Sequence, residues 1–185
     1  LNLLLQLYQF VIFEAYAWLN VSERYSKMVA SYTPEEMTMI AEAPMLTGLA
    51  VAMVDVGIVS TAIEAAAISK EIAGVAKKYP SNSVIQAVFS EAALKSGDVK
   101  LQKPDVKAEE VESGALVDKA IASVSAALGV LAGKATPEEI AEYKAFVYSC
   151  GDSVANAAGS GLFGAGQKVS DKEAIALAKF KAALV

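Results

Sequence analysis

The phrase Thr-Pro-Glu-Glu occurs twice in this chain, at Thr33–Glu36 and at Thr136–Glu139, and each copy opens a run of apolar residues at helical spacing. Its chemistry is that of a helix start. Threonine at the N-cap accepts a hydrogen bond from an orphan backbone N–H. Proline at the first helical position gives up an N–H that would have had no partner, and glutamate at the third reaches back to the capping residue. Ser170-Asp171-Lys172-Glu173 is a third such box. Starts this explicit predict an α-helical chain, and no segment shows sustained strand alternation between hairpin turns. The expected fold is all-α: six to eight helices in a compact orthogonal or antiparallel bundle, with no significant sheet.

Between the boxes, the segment Ala43–Val56 carries a single charge, Asp55, and is apolar on every side. A helix without a polar face belongs at the centre of a domain. Pro44 is expected to end or restart the helix that opens at Thr33, and Gly57 to cap the one that follows it. A further helix is predicted from about Thr61 to Lys78, with Ile68, Ile72 and Val75 inward, and another over Ser83–Lys95. Ser96 through Pro104 reads as an exposed connection. Two long helices then carry four-three seams, Val117, Ile121, Val124, Leu128 and Leu131 on one, and Ile140, Tyr143, Val147, Cys150, Val154 and Ala157 on the other. Near-antiparallel packing of this pair is expected across the Gly133–Thr136 turn. The last helix presents Leu177, Phe180 and Leu184 inward.

Residues 1–32 stand apart, holding seven of the fourteen aromatic residues. They are read as an aromatic-rich helical segment ahead of a single domain over 33–185, either docked on that domain or on a second copy, or an upstream extension or fragment edge, with Met28 or Met37 as a possible start. A membrane span over 1–21 is an alternative, disfavoured by Gln6, Gln9 and Glu14 inside it. Ala15-Tyr16-Ala17 has the form of an export cleavage site but lacks a basic region before it.

The composition excludes several functions. A net charge of −5 with scattered lysines argues against nucleic acid. A lone cysteine, Cys150, forbids an internal disulfide and suits a reducing, cytoplasmic compartment. There is no histidine, so the usual general base and the usual transition-metal ligand are both missing. Any metal site would use oxygen ligands and favour Mg²⁺ or Ca²⁺.

The remaining candidates are few. Gly159-Ser160-Gly161-Leu162-Phe163-Gly164 has the form of a dinucleotide loop but follows a helix instead of the strand such a site needs. Cys150 lies on an apolar seam and reads as core, and Asp152 and Asn156 read as a solvated polar face. Asp55 is the sharper candidate. A carboxylate in the last turn of an apolar helix opposes the helix dipole, and Glu64 lies just across the Gly57–Ser60 turn. The plainer reading is that Asp55 caps turn amides while Glu64 completes a box with Thr61.

Asp55-Val56-Gly57-Ile58-Val59-Ser60 followed by Glu64 resembles the A-D-G-x-V-S-x-x-E phrase of the tellurite-resistance TerB-like proteins. Gly166-Gln167-Lys168-Val169-Ser170-Asp171-Lys172-Glu173 resembles a degenerate second copy. The phrase is altered here: Val56 separates Asp55 from Gly57, Glu64 falls four residues after Ser60, and Ala165 stands where the second aspartate would be. The stretch from Phe163 to Glu173 is also similar to the F-x-G-x-G-x-x-V-S-x-x-E pattern of uncharacterised bacterial all-helical proteins. The TerB-like resemblance implies a small bacterial stress-response domain, with divalent-metal binding on Asp55 and Glu64 and, more weakly, on Asp171 and Glu173. The leading expectation is a non-enzymatic interaction or stress-response module with a protein partner or a second copy of itself. Divalent-cation binding and membrane association through residues 1–21 are the alternatives.

Overall fold

The computed structural model describes residues 32–54, 61–97, 99, 104–112, 114–158 and 169–185. Eight helical segments and no strand occur among them, as the helix signals predict. They are α1 (Pro34–Val54), α2 (Thr61–Lys78), α3 (Ser83–Phe89), α4 (Glu91–Ser96), α5 (Ala108–Glu112), α6 (Ala115–Leu131), α7 (Pro137–Ala158) and α8 (Asp171–Ala183). Apart from Tyr32, the aromatic-rich segment lies outside the described residues.

All three predicted boxes close. Thr33 N–H donates to Glu36 Oε2 at 2.9 Å, and Glu36 N–H returns to Thr33 Oγ1 at 3.2 Å. Thr136 and Glu139 repeat these distances. Ser170 N–H reaches Glu173 Oε2 at 2.7 Å, with the return bond at 3.2 Å.

Pro44 neither ends nor restarts a helix; α1 runs through it. A proline there leaves the carbonyl of Ile40 without its usual helical donor, and in a buried helix that loss is costly. The phenol of Tyr143, on α7, supplies the missing bond, donating to Ile40 O at 2.8 Å. Tyr143 is fully buried, and burial pushes its phenol far above the ordinary range, so it stays a donor.

The central position expected for the apolar helix is observed. Ile40, Ala43, Leu46, Ala50 and Val51 of α1 are sealed from solvent. The helix is long and apolar enough to cross a membrane, yet 61% of its most apolar window is buried inside the fold. Core placement therefore accounts for its composition.

Helices α6 and α7, expected to pack on each other, barely touch. Each lies along α1 instead, so α1 is wedged between them. Tyr143 meets Ile40, and a side chain at Gly48 would meet the Cys150 carbonyl. Because both numberings rise together, α1 and α7 run parallel. A Cβ on Gly151 would lie within 3.2–3.3 Å of Leu177, Val51 and Thr47, so the small residues Gly48 and Gly151 set how closely the two helices approach. The four-three seams are real, with Val117, Val124 and Leu131 buried on α6 and Tyr143, Val147, Cys150 and Val154 on α7. Their partner is a third helix.

The helix expected over Ser83–Lys95 is two. Ser90 takes an extended conformation and caps α4 by accepting from Ala93 N–H at 3.1 Å, which ends α3 at Phe89. Gly97, at φ 78°, then closes α4 in the left-handed conformation that glycine allows. The segment before α6, read from sequence as connection up to Pro104, leads into the short helix α5. Lys119 anchors α5, its ammonium bonding Asp105 O at 2.6 Å and Glu110 Oε1 at 3.0 Å.

Candidate functional site

The predicted metal residues are not brought together by the described part of the fold. Asp55 and the side chain of Glu64 lie outside it, as does the glycine-rich loop from Gly159. Asp171 is exposed at the start of α8. Glu173 is buried, and its carboxylate is held by the backbone N–H of Ser170. Among the described residues no group of three or more acidic, cysteine or histidine side chains is placed to hold a metal ion.

Cys150 is where the seam predicted, fully buried in the core. Burial, with a smaller contribution from Glu71, pushes its thiol far above the ordinary range, the reverse of what a nucleophile needs. The Glu71 carboxylate accepts from Ser149 Oγ at 3.2 Å and from Ser153 Oγ at 2.8 Å, tying α2 to α7. Asn156 is exposed and donates to the main-chain oxygen of Asp152 at 2.8 Å.

A cleft of about 350 Å³ opens where the C-terminal end of α1, the start of α6 and the outer face of α8 meet. Its lining on α1 and α6 is apolar: Ala50, Met53 and Val54 on the first, Leu116 and Val117 on the second. The α5–α6 junction adds Val111, Glu112 and Gly114, the last at φ 74°, which lets the chain turn sharply into α6. From α8 come Lys172, Ile175, Ala176 and Lys179. Their spacing of three, one and three residues lays them along one helical stripe. Ala176 points inward and is buried, whereas Ile175 is 61% exposed, the largest exposure of any isoleucine or leucine in the described chain.

The cleft carries charges of both signs. Lys172 and Lys179 stand about 10 Å apart along α8, from seven residues at the helical rise, and Glu112 lines the same cleft. Lys179 Nζ lies 3.9 Å from Asp118 Oδ1, with both side chains more than half exposed, a contact too loose and too wet to neutralise it fully. The cleft therefore joins apolar walls on α1 and α6 to charged side chains of both signs.

Sequence reasoning did not find this site. Its α1 wall falls within the run already marked as central, but the α5–α6 wall lies beyond the connection that ended at Pro104 and was assigned to no element, and Ile175 was passed over. The available signal was local: an isoleucine flanked by Lys172 and Lys179 on a helix face otherwise given to solvent. Comparison with protein-family models, with curated proteins and with solved structures finds no match to this chain.

Proposed function

We propose that this chain is a non-enzymatic recognition module that engages another molecule at the cleft between α1, α6 and α8. The observation that carries the reading is the cleft itself, a concavity of about 350 Å³ with apolar walls on α1 and α6, a largely exposed isoleucine and charged side chains from α5 and α8. Small-molecule and side-chain docking sites have this character, mostly apolar with a few placed polar groups. The non-enzymatic half of the proposal is supported by the complete lack of histidine and by the burial of the only cysteine with its thiol pushed up. The resemblance of residues 55–64 and 166–173 to TerB-like phrases extends the proposal to a bacterial stress response. Tellurium-resistance genes beside this one would support that extension.

Amine labelling tests the recognition reading. Lys179 and Lys172 are expected to react several-fold more slowly in intact source cells than in the purified chain, while Lys95 and Lys134, remote from the cleft, react equally in both. Equal reactivity of all four lysines in the two settings overturns it.

A further inference from the structure

One wall of the cleft is built differently from the others. Alone among the described helices, α5 contributes no buried residue, and none from Pro104 to Glu112 is sealed from solvent. A helix of five residues has no stability of its own in water, because its few hydrogen bonds do not offset the cost of ordering it. Val106 and Val111 pack, partly buried, on the core cluster that holds Leu116 and Val117. The chain turns into α6 at Gly114, at φ 74°, where an added Cβ would meet no atom of the described residues within 4 Å. Packing therefore does not pin that turn. Lys119, in the second turn of α6, spans the segment. Its ammonium bonds Asp105 O at 2.6 Å, ahead of α5, and both carboxylate oxygens of Glu110, within it, at 3.0 and 3.1 Å. One side chain thus gathers two points of the segment against α6.

Resting on the recognition reading above, we infer that residues 104–112 form a hinged strap, latched by Lys119, whose displacement opens the cleft into a longer groove along α1 and α6. Segments with few buried apolar contacts open at a lower free energy than the core that carries them. The hinge is Gly114, which leaves and re-enters the left-handed region without the penalty a side chain would bring. When the strap swings out, Val111 and Glu112 leave the cleft and Val106 leaves the cluster beneath it. Leu116 and Val117, 2% and 6% exposed with the strap in place, then join Met53 and Val54 as accessible apolar surface. The latch gives way readily, because the side chains of Lys119 and Glu110 already stand at 34% and 25% exposure and water can replace the bonds they lose. A partner that contacts the uncovered walls binds the open form better and shifts the balance toward it.

Amide exchange on the purified full chain tests the strap. The N–H groups of Glu110, Val111 and Gly114, bonded within the segment, should exchange at least roughly tenfold faster than those of Ala120 and Val124 in α6. Lys119→Met, which keeps the stem and removes the donors, should speed the three by roughly three- to tenfold, as expected for loss of a partly exposed ion pair and a charged bond to a carbonyl. The amides of α6, and that of Leu94 in α4, should not change. The anionic dye anilinonaphthalene sulfonate should bind Lys119→Met several-fold more tightly than the native chain. It should shift the Met53 methyl resonance and not that of Met37, which is 1% exposed in the other half of the core. Removing a positive charge would by itself weaken the binding of an anion, so a gain reports uncovered apolar surface. Strap amides that exchange no faster than those of α6, or that do not respond to Lys119→Met, overturn the inference. Equal acceleration in α6 also overturns it, since Lys119 then supports the fold as a whole. So does faster exchange with no change in dye binding or at Met53, because the segment then opens away from the cleft. If the strap fails while the cellular protection of Lys172 and Lys179 is present, recognition uses the cleft as it stands. If the strap opens but that protection is absent, the recognition reading falls, and with it the strap's use as a gate.

Discussion

At the scale of single residues, the most consequential side chain is Tyr143. Pro44 lies in the middle of the central helix and removes the donor that the Ile40 carbonyl needs, and a side chain from another element replaces it. Tyr143 does so from α7 at 2.8 Å. Tyr143→Phe is therefore expected to leave a buried acceptor unpaired and to cost about 1–3 kcal/mol in urea unfolding. In a Pro44→Ala background the restored backbone N–H can return to the Ile40 carbonyl, and the same change should cost about 1 kcal/mol less. Equal costs in both backgrounds would show that the hydroxyl does not stand in for the missing amide. Tyr32 poses the opposite case. It is buried with no hydrogen-bond partner on its hydroxyl among the described residues, and its pKa rises to about 12, first through burial and then through Glu139 and Glu36. The ammonium of Lys134 lies 5.4 Å from its ring centroid, an attraction between cation and aromatic face.

At the scale of elements, the fold turns on how closely α1 approaches its neighbours. A Cβ on Gly48 would stand 2.7 Å from Ile68 Cγ1 and 2.9 Å from Cδ1. Gly48→Ala gains helix propensity of roughly 1 kcal/mol but drives α1 against α2, and overpacking of this kind costs about 1–3 kcal/mol. The expected result is a lower thermal midpoint, with a smaller loss in an Ile68→Ala background, where both of the crowding atoms are gone. A midpoint raised by Gly48→Ala alone would mean that the α1–α2 interface yields without loss. The same closeness explains why α6 and α7 do not pair. Their seams are apolar and correctly spaced, but α1 is apolar all round and can bury more surface against each than they could against one another.

For the whole molecule, the starts of α1, α3 and α7 gather at one end and are joined there by carboxylates. Glu36 is bonded to Lys134, just ahead of α7. Glu139 accepts from the N–H of Ser83 at 2.8 Å, at the start of α3. Asn82, which caps α3 through Ile85 N–H, also donates to Glu142 at 2.8 Å. Desolvation works to raise the Glu139 pKa, but the bonds from Ser83 and Thr136 outweigh it and hold the group below its ordinary value of 4.5. A carboxyl depressed in the folded state contributes stability above its unfolded pKa and loses that contribution as pH falls through the folded one. Glu139→Gln should therefore destabilise the chain most near neutral pH. The gap between variant and native chain should narrow below about pH 4.5 as the native carboxyl takes up its proton. A gap that stays constant through this range would show that the charge of Glu139 contributes nothing.

What could be read from residues alone was whatever rests on neighbours in the chain. The three boxes need only residues three apart, and all three close as their letters imply. The inward seams of α6 and α7 follow from helical period, and the centrality of α1 from its lack of a polar face. What depended on distant residues was decided by the tertiary structure. A proline was read as a break because its local effect is to break, and only Tyr143, a hundred residues on, makes its place in α1 tenable. Ser90 splits a helix that periodicity would continue, because its own side chain caps α4 better than the ladder would serve it. Two seams pointed to a pair of helices, but a seam does not name its partner, and α1 took both. The cleft was hidden for the same reason. Its walls come from α1, α5, α6 and α8, segments far apart in sequence, and a concavity exists only once they are packed.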